Sequence, residues 1–544
     1  MLKQKRYRLG FLFIAFAILW YYPARNYGFV SDFLGWFHKY QNGSYADVIH
    51  CFGYNGLHQF FHLLNFTVFK LFGTSSISWS ILFAAFHGLN SFLVFILVKD
   101  LTDRWQLKLP HLEWFAAVMF LIAPFQLEVV SWNACLHYLM SLFVLLSSLL
   151  LTIRLLNTKK LKLLIWIHLL FLISLFTLEI NLSIPFILIS LILVDLLKNN
   201  SLKQELKLAG LLIIPQVALL ILYFLLNKVI LGDWIGHYGT EVHLATPFSE
   251  IIGHAWAYVL HQLAYLDLFQ YDTQRTIYSF LFDPGVSYSI LILLLILFFW
   301  CIKEFQKLDS RIQLAGLFLI IFFMALVPIL SLYFYYVTPF KNDRYLYFAS
   351  PFLFISIGVL FYYLNRTWRH TLMILYVIAA GVLNRANISS TALAAIGADY
   401  MLQNFPCEDF KDKEIVLLGL GDNFRGNYLY SEYADDGNSF KKAMQIKYPE
   451  RSCQMNILNP AQFNLKYGSD ALGAQFTDDR TIKVFIKQNG TWFWRHGKGL
   501  ASYETDRYKI ETHGWYYLMH LKEGFDQSVF LYPDGAEWKV LERK

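Results

Sequence analysis

Five stretches of this chain leave it little choice of surroundings. Residues 81–98, 136–153, 163–177, 208–226 and 290–302 contain no Asp, Glu, Lys or Arg. A helix needs about 20 largely apolar residues to cross a bilayer. Backbone amides in hydrocarbon must be paired within their own segment, and these Leu-, Ile- and Phe-rich runs lack the alternation of a barrel strand, so they read as helices. Composition agrees. Apolar residues make up 56% of 544 and charged residues only 16%, too little polar surface for a soluble protein of this size.

The basic segment 1–8 precedes an apolar run over 9–22. A cleavable signal peptide is the competing reading. The residues that follow (Pro23, Ala24, Arg25, Asn26) offer no small-x-small cleavage site, which favours a retained first span.

Lys and Arg set the orientation. Six alternate connections are basic: Lys3 to Arg8, Lys99 to Lys108, Arg154 to Lys162, Lys198 to Lys207, Lys303 to Arg311, and Arg366 with Arg369. They hold 19 of the 27 Lys and Arg before residue 389. This is the positive-inside pattern with a cytoplasmic N-terminus. Its parity predicts about eleven transmembrane helices and puts residues 389–544 outside.

That last part differs in kind, with 19 Lys and Arg against 21 Asp and Glu. Residues 414–420 read as a buried strand. Hairpins are expected for 482–487 with 491–494 around Asn489-Gly490, and for 529–532 with 537–541 around Asp534-Gly535. The fold class expected is a polytopic α-helical membrane domain, 1–388, followed by an extracytoplasmic α/β domain, 389–544. Cys407 and Cys453 fall on the side where a disulfide can form. Two long outer loops, about 23–75 and 232–286, contain apolar-aromatic stretches at 57–72 and 251–269, suited to helices lying in the interface.

An ionisable residue at membrane depth is costly and points to function. Asp32, Glu128 and Glu179 all fall at the outer ends of spans, one level where one cavity could gather them. Singly, each could be a solvated turn residue. Lys341 and Arg344, followed by Tyr345, supply cations at the outer mouth of the tenth span. Arg presents a fork of donors suited to phosphate; the plainer alternative is a pair with Asp343 or snorkelling to headgroups.

His58 and His62 share a helix face, as metal ligands can, but without an acidic third ligand at similar spacing they read as interfacial. His87 and Asn90, three apart inside the second span, suit helix-to-helix hydrogen bonding. Gly419-Leu420-Gly421 lacks the third glycine of a nucleotide loop, since Phe424 takes its place. No Walker motif, Cys-x-x-Cys pair or Gly-x-Ser-x-Gly elbow occurs, which disfavours a pump, a zinc site and a serine hydrolase.

Four places together resemble the GT-C superfamily of membrane glycosyltransferases, nearest to its protein O-mannosyltransferase-like branch (glycosyltransferase family 39-like). Phe86-His87-Gly88-Leu89-Asn90 is similar to that branch's His-Leu-x-Asn pattern. Pro124 through Trp132 is similar to its Pro-x-x-x-Glu-x-Val-x-Trp turn. Leu178-Glu179 with Pro185 and Asp195 resembles its Lys-Glu, Pro, Asp series. Asp343-Arg344-Tyr345-Leu346-Tyr347 resembles its Glu-Arg-Tyr-Leu-Tyr stretch.

The resemblance implies inverting sugar transfer from a polyprenyl-phosphate-linked donor to an extracytoplasmic acceptor, whether protein, lipid or glycan. It makes Asp32 the catalytic base, and puts Arg344 and Lys341 on the lipid phosphate. Glu128, Glu179, Tyr345, His87 and Asn90 become substrate-binding. No cofactor is implied for certain and a divalent metal stays open; no nucleic acid is among the partners.

The chain departs from the pattern in three places. Ser31 precedes Asp32 where the family often has a second acid, Ala123 replaces a usual histidine, and Leu178 a usual lysine. A bacterial inner membrane, with a periplasmic C-terminal domain, is the expected location. A transporter, flippase or polymerase handling the same carriers, or a non-catalytic assembly protein, are the other readings. A transporter more often shows internal repeats and charges at mid-membrane.

Overall fold

A computed structural model describes residues 2–50, 56–199, 202–236, 239–265, 271–332, 343–410, 413–430, 438–451, 456–465, 470–487, 490–493, 502–535 and 537–543. Among them, seven helices are long and apolar enough to cross a membrane: Arg6–Ala24, Ser76–Arg104, Asn133–Thr158, Glu179–Lys198, Leu206–Leu231, Ser310–Ile329 and Arg366–Gln403. Three shorter apolar helices join them, Lys162–Leu175, Pro284–Ile296 and Ser350–Tyr363. The pair Leu112–Ile122 and Pro124–Ser131 makes one apolar unit bent by 54°.

The bend has a local cause. Proline disfavours a helical conformation in the residue before it and brings no N–H of its own. Ala123 is accordingly extended, at φ −60° and ψ 138°. The turn that follows carries Glu128 inward, where it is buried.

Close packing joins the first two long helices. A Cβ added to Gly88 would lie 2.7 Å from both the Ile14 Cα and the Phe13 carbonyl oxygen, so only glycine lets these backbones approach so nearly. His87 and Asn90 serve the same packing. His87 Nδ1 lies 2.9 Å from the Tyr347 hydroxyl, which also accepts from Asn90 Nδ2 at 3.2 Å; Asn90 Nδ2 donates to the Leu139 carbonyl at 3.0 Å.

The two long loops are helical where they are described, with Asp32–Asn42, Tyr45–Ile49 and Gln59–Phe72 in the first and Gly239–Ala245, Phe248–Ala264 and Tyr271–Leu281 in the second. Phe61, His62, Asn65, Phe66, Val68 and Phe69 of Gln59–Phe72 are buried. Of the second apolar-aromatic stretch, 266–269 lies outside the described residues.

Arg366–Gln403 is a single helix of 38 residues that runs unbroken through the boundary expected at 388/389. The strand-containing region begins at Glu414. Its described residues form three sheets. In the first, Glu414–Leu417 lies parallel to Val529–Asp534 on one side and to Asn456–Leu458 on the other, with Glu537–Leu541 closing one edge antiparallel. The second is antiparallel, in the order Leu472–Asp478, Thr481–Ile486, Tyr516–Leu521, Tyr508–His513, Tyr503–Glu504. The third runs Asn427–Tyr428, Leu420–Phe424, Gln462–Leu465, Thr491–Phe493.

Four expectations meet the structure in this region. The single strand at 414–420 is two strands in different sheets, parted at Gly419, where a Cβ would meet the Leu472 side chain at 2.4 Å. The 482–487/491–494 hairpin does not form, because Leu472–Asp478 and Tyr516–Leu521 occupy both edges of Thr481–Ile486. The 529–541 hairpin is present. Cys407 is disulfide-bonded; Cys453 lies outside the described residues.

The strand region is fastened to the helical body. Trp538 Nε1 donates to the Met401 carbonyl at 2.9 Å, the Tyr430 hydroxyl to that of Ala398 at 2.5 Å, and Tyr428 packs on Trp132 with ring centroids 4.9 Å apart.

Candidate functional site

Asp32 is delivered by a short segment that the Trp132-Asn133 turn holds in place. Gly28 has φ +134°, and a Cβ there would sit 2.5 Å from the Asn133 side-chain oxygen. The Gly28 carbonyl accepts from the Asn133 amide at 3.2 Å, and the Val30 carbonyl from Trp132 Nε1 at 3.0 Å. Ser31 then adopts φ 52° and ψ −127°, a region that costs a non-glycine residue about 1–3 kcal/mol and is characteristic of functional segments. Asp32 is the first residue of the helix that follows.

Beside it opens a cavity of about 920 Å³, part of it open to solvent. Asp32, Glu179, Arg344 and Tyr345 all line it, together with the aromatic Trp36, Phe61, Trp132 and Tyr138 and the histidines His58, His62, His137 and His243. Residues from seven separate parts of the chain converge here.

Arg344 is held by Glu128. Its guanidinium Nη1 donates to Oε1 at 2.8 Å, and its own backbone N–H donates to Oε2 at 2.7 Å. The guanidinium also lies 4.7 Å from the Tyr345 ring centre and 5.5 Å from that of Trp132. Its neighbour Asp343 accepts from His261 Nε2 at 2.6 Å. That bond ties the loop helix Phe248–Ala264 to the arginine's short helix, Asp343–Leu346. Glu128 therefore orients the cation and does not itself line the cavity.

Glu179 has a partner of its own. His58 Nε2 lies 2.8 Å from both of its carboxylate oxygens. Burial opposes charge on the imidazole, yet the charge and hydrogen bond of Glu179 hold its pKa above the usual histidine value. Four residues on, His62 is pushed down to about 3 by burial, with the nearby charges of His58 and Lys39 adding to it. Its Nδ1 meets the Tyr40 hydroxyl at 3.2 Å, and that hydroxyl accepts from Asn65 Nδ2.

The structure thus gathers Asp32, Glu179, Arg344 and Tyr345 around one space, with Glu128 behind the arginine. His87 and Asn90, expected to bind substrate, stand apart in the buried network with Tyr347. Asp195 pairs with Arg104 (Nε to Oδ1, 2.8 Å) and accepts from Trp105 Nε1 at 3.1 Å, so it serves packing at the far end of the Ser76–Arg104 helix. Lys341 lies outside the described residues.

His58 and His62 are the residues that sequence reasoning set aside as interfacial. Their spacing was the signal, but the Glu179 contact spans 121 positions. Among the described residues, no group of three or more His, Cys, Asp or Glu is arranged to hold a metal ion. Compared with protein-family models and with curated protein sequences, the chain matches none.

Proposed function

We propose that this chain is a multi-span membrane glycosyltransferase of GT-C type that moves a sugar from a polyprenyl-phosphate carrier to an extracytoplasmic acceptor. The reading is carried by one observation: Asp32, Glu179 and Arg344 line the same partly enclosed cavity. A carboxylate base, a phosphate-directed cation and aromatic walls are what the reaction needs at one place.

In the reaction so read, the acceptor oxygen forms its bond to the anomeric carbon as the bond from that carbon to the phosphate oxygen breaks. The acceptor's proton passes to the Asp32 carboxylate. The bonding pair leaves on the lipid phosphate, whose growing charge Arg344 stabilises from a site already oriented by Glu128. Tyr345 and Trp132, flanking the guanidinium, limit its movement.

The seven long apolar helices, the bent pair and the three shorter ones are read as eleven spans. Basic connections lie on the cytoplasmic side, and the cavity and strand region face outward, as in a bacterial inner membrane.

The test is Asp32→Asn, purified as the full chain and assayed for transfer from undecaprenyl-phosphate-linked sugars. Removal of a general base is expected to lower the rate about 10²–10⁴-fold with expression and monodispersity unchanged. Full activity in that variant removes Asp32 from the reaction.

A further inference from the structure

The transfer step described above leaves one charged pair in the cavity without a task. Glu179 and His58 are 15% and 8% exposed at their side chains, and both line the cavity that Arg344 and Asp32 share.

The pair is rigidly mounted. Glu179 opens the turn Glu179–Ser183, directly after the extended Leu178. His58 immediately precedes the helix Gln59–Phe72, whose first amides, at Phe60 and Phe61, both donate to the Phe176 carbonyl at 3.0 and 3.3 Å. The two segments are therefore fastened through backbone as well as through the ion pair. Gly56 closes the other side of the ring, since a Cβ there would lie 2.8 Å from His58 Cε1.

A carboxylate accepts up to about four hydrogen bonds. His58 directs one nitrogen between the two oxygens of Glu179, which orders a carboxylate that lines the cavity. Two adjacent sugar hydroxyls present paired donors at a spacing that one carboxylate matches. Trp36 and Phe61, in ring contact with each other at 5.3 Å, line the same cavity as aromatic surface for a sugar ring, and Arg344 supplies its cation.

We propose that the His58–Glu179 pair is a sugar-binding subsite that reads vicinal hydroxyls of the transferred sugar, with His58 as the positioning residue for the Glu179 carboxylate. The proposal rests on the glycosyltransferase reading. It divides the cavity into a phosphate end at Arg344 and a sugar end at Glu179, with Asp32 left to the acceptor.

The experiment measures binding without requiring turnover. Full-length protein in nanodiscs is titrated by competition with bare undecaprenyl phosphate and with undecaprenyl phosphate carrying mannose, glucose or N-acetylglucosamine. Wild type is expected to prefer at least one sugar-bearing lipid about tenfold, the scale of a hydrogen bond to a charged group. His58→Leu and Glu179→Gln lose that preference while bare-lipid affinity stays put. His58→Gln, which keeps an N–H donor near the Nε2 position, restores the preference to within about threefold.

Equal loss of bare and sugar-bearing lipid in His58→Leu marks a merely structural residue and overturns the proposal. So does a preference that survives in His58→Leu. Wild type that binds bare and sugar-bearing lipids alike overturns the subsite alone. Wild type that binds none of the four lipids fails the glycosyltransferase reading, and the subsite with it.

Discussion

Replacing Glu128 by alanine strips a buried guanidinium of a carboxylate that holds it at hydrogen-bond distance. The side chains of Arg344 and Glu128 are 16% and 4% exposed, so little water can take the place of either partner. Glu128 accepts twice, from the Arg344 guanidinium at 2.8 Å and from its backbone N–H at 2.7 Å. Each hydrogen bond to a charged group contributes about 1.5–3 kcal/mol, and deleting one partner of a buried pair costs about 3–5 kcal/mol. Glu128→Ala loses both bonds and is expected near that range.

Arg344→Met removes only the guanidinium bond, leaving the carboxylate its backbone donor, so it should cost less. The double variant Glu128→Ala with Arg344→Met leaves neither member of this pair without the other. It should recover much of the loss, because apolar replacement of a buried ion pair is often near neutral. The expected coupling in the four-protein cycle is about 2 kcal/mol or more, within the range for groups in direct contact. Reversible unfolding in mixed micelles, followed by tryptophan fluorescence, measures it. A Glu128→Ala protein within about 0.5 kcal/mol of wild type, or single losses that simply add in the double variant, would refute the argument that Glu128 holds Arg344 in place.

Stability should fall in acid partly through His62. Folded, it takes up its proton only near about 3, whereas in the unfolded chain it does so near about 6.5. Protons therefore favour the unfolded state as pH drops from about 6.5 toward 3, and His62→Gln should flatten that part of the stability profile; an unchanged slope contradicts a buried, neutral His62. Gly88→Val places a side chain against the backbone of Phe13 and Ile14. Overpacking of this kind costs about 1–3 kcal/mol and should appear as a lower yield of monodisperse protein after extraction, while an undisturbed yield would mean that the helices are not held so close.

Sequence alone determined the parts of this protein that depend on solvent. Uncharged runs of helix length must avoid water, and their placement and the basic connections between them follow from transfer free energies that act residue by residue. Asp32, Glu179, Arg344 and Tyr345 were legible because each is a costly residue at the end of an apolar run. So was the hairpin at Asp534-Gly535, where turn chemistry is local.

Tertiary structure decided what each polar group does. Glu128 became the holder of Arg344 because the bend at Ala123-Pro124 turns it inward. His58 moved from the interface to Glu179, a partner 121 positions away, and His87 and Asn90 were claimed by Tyr347. The Asn489-Gly490 hairpin failed for a similar reason: both edges of Thr481–Ile486 were taken by strands that local pattern cannot rank. Hydrogen-bond partners are chosen by proximity in space, and periodicity along the chain carries no record of that choice.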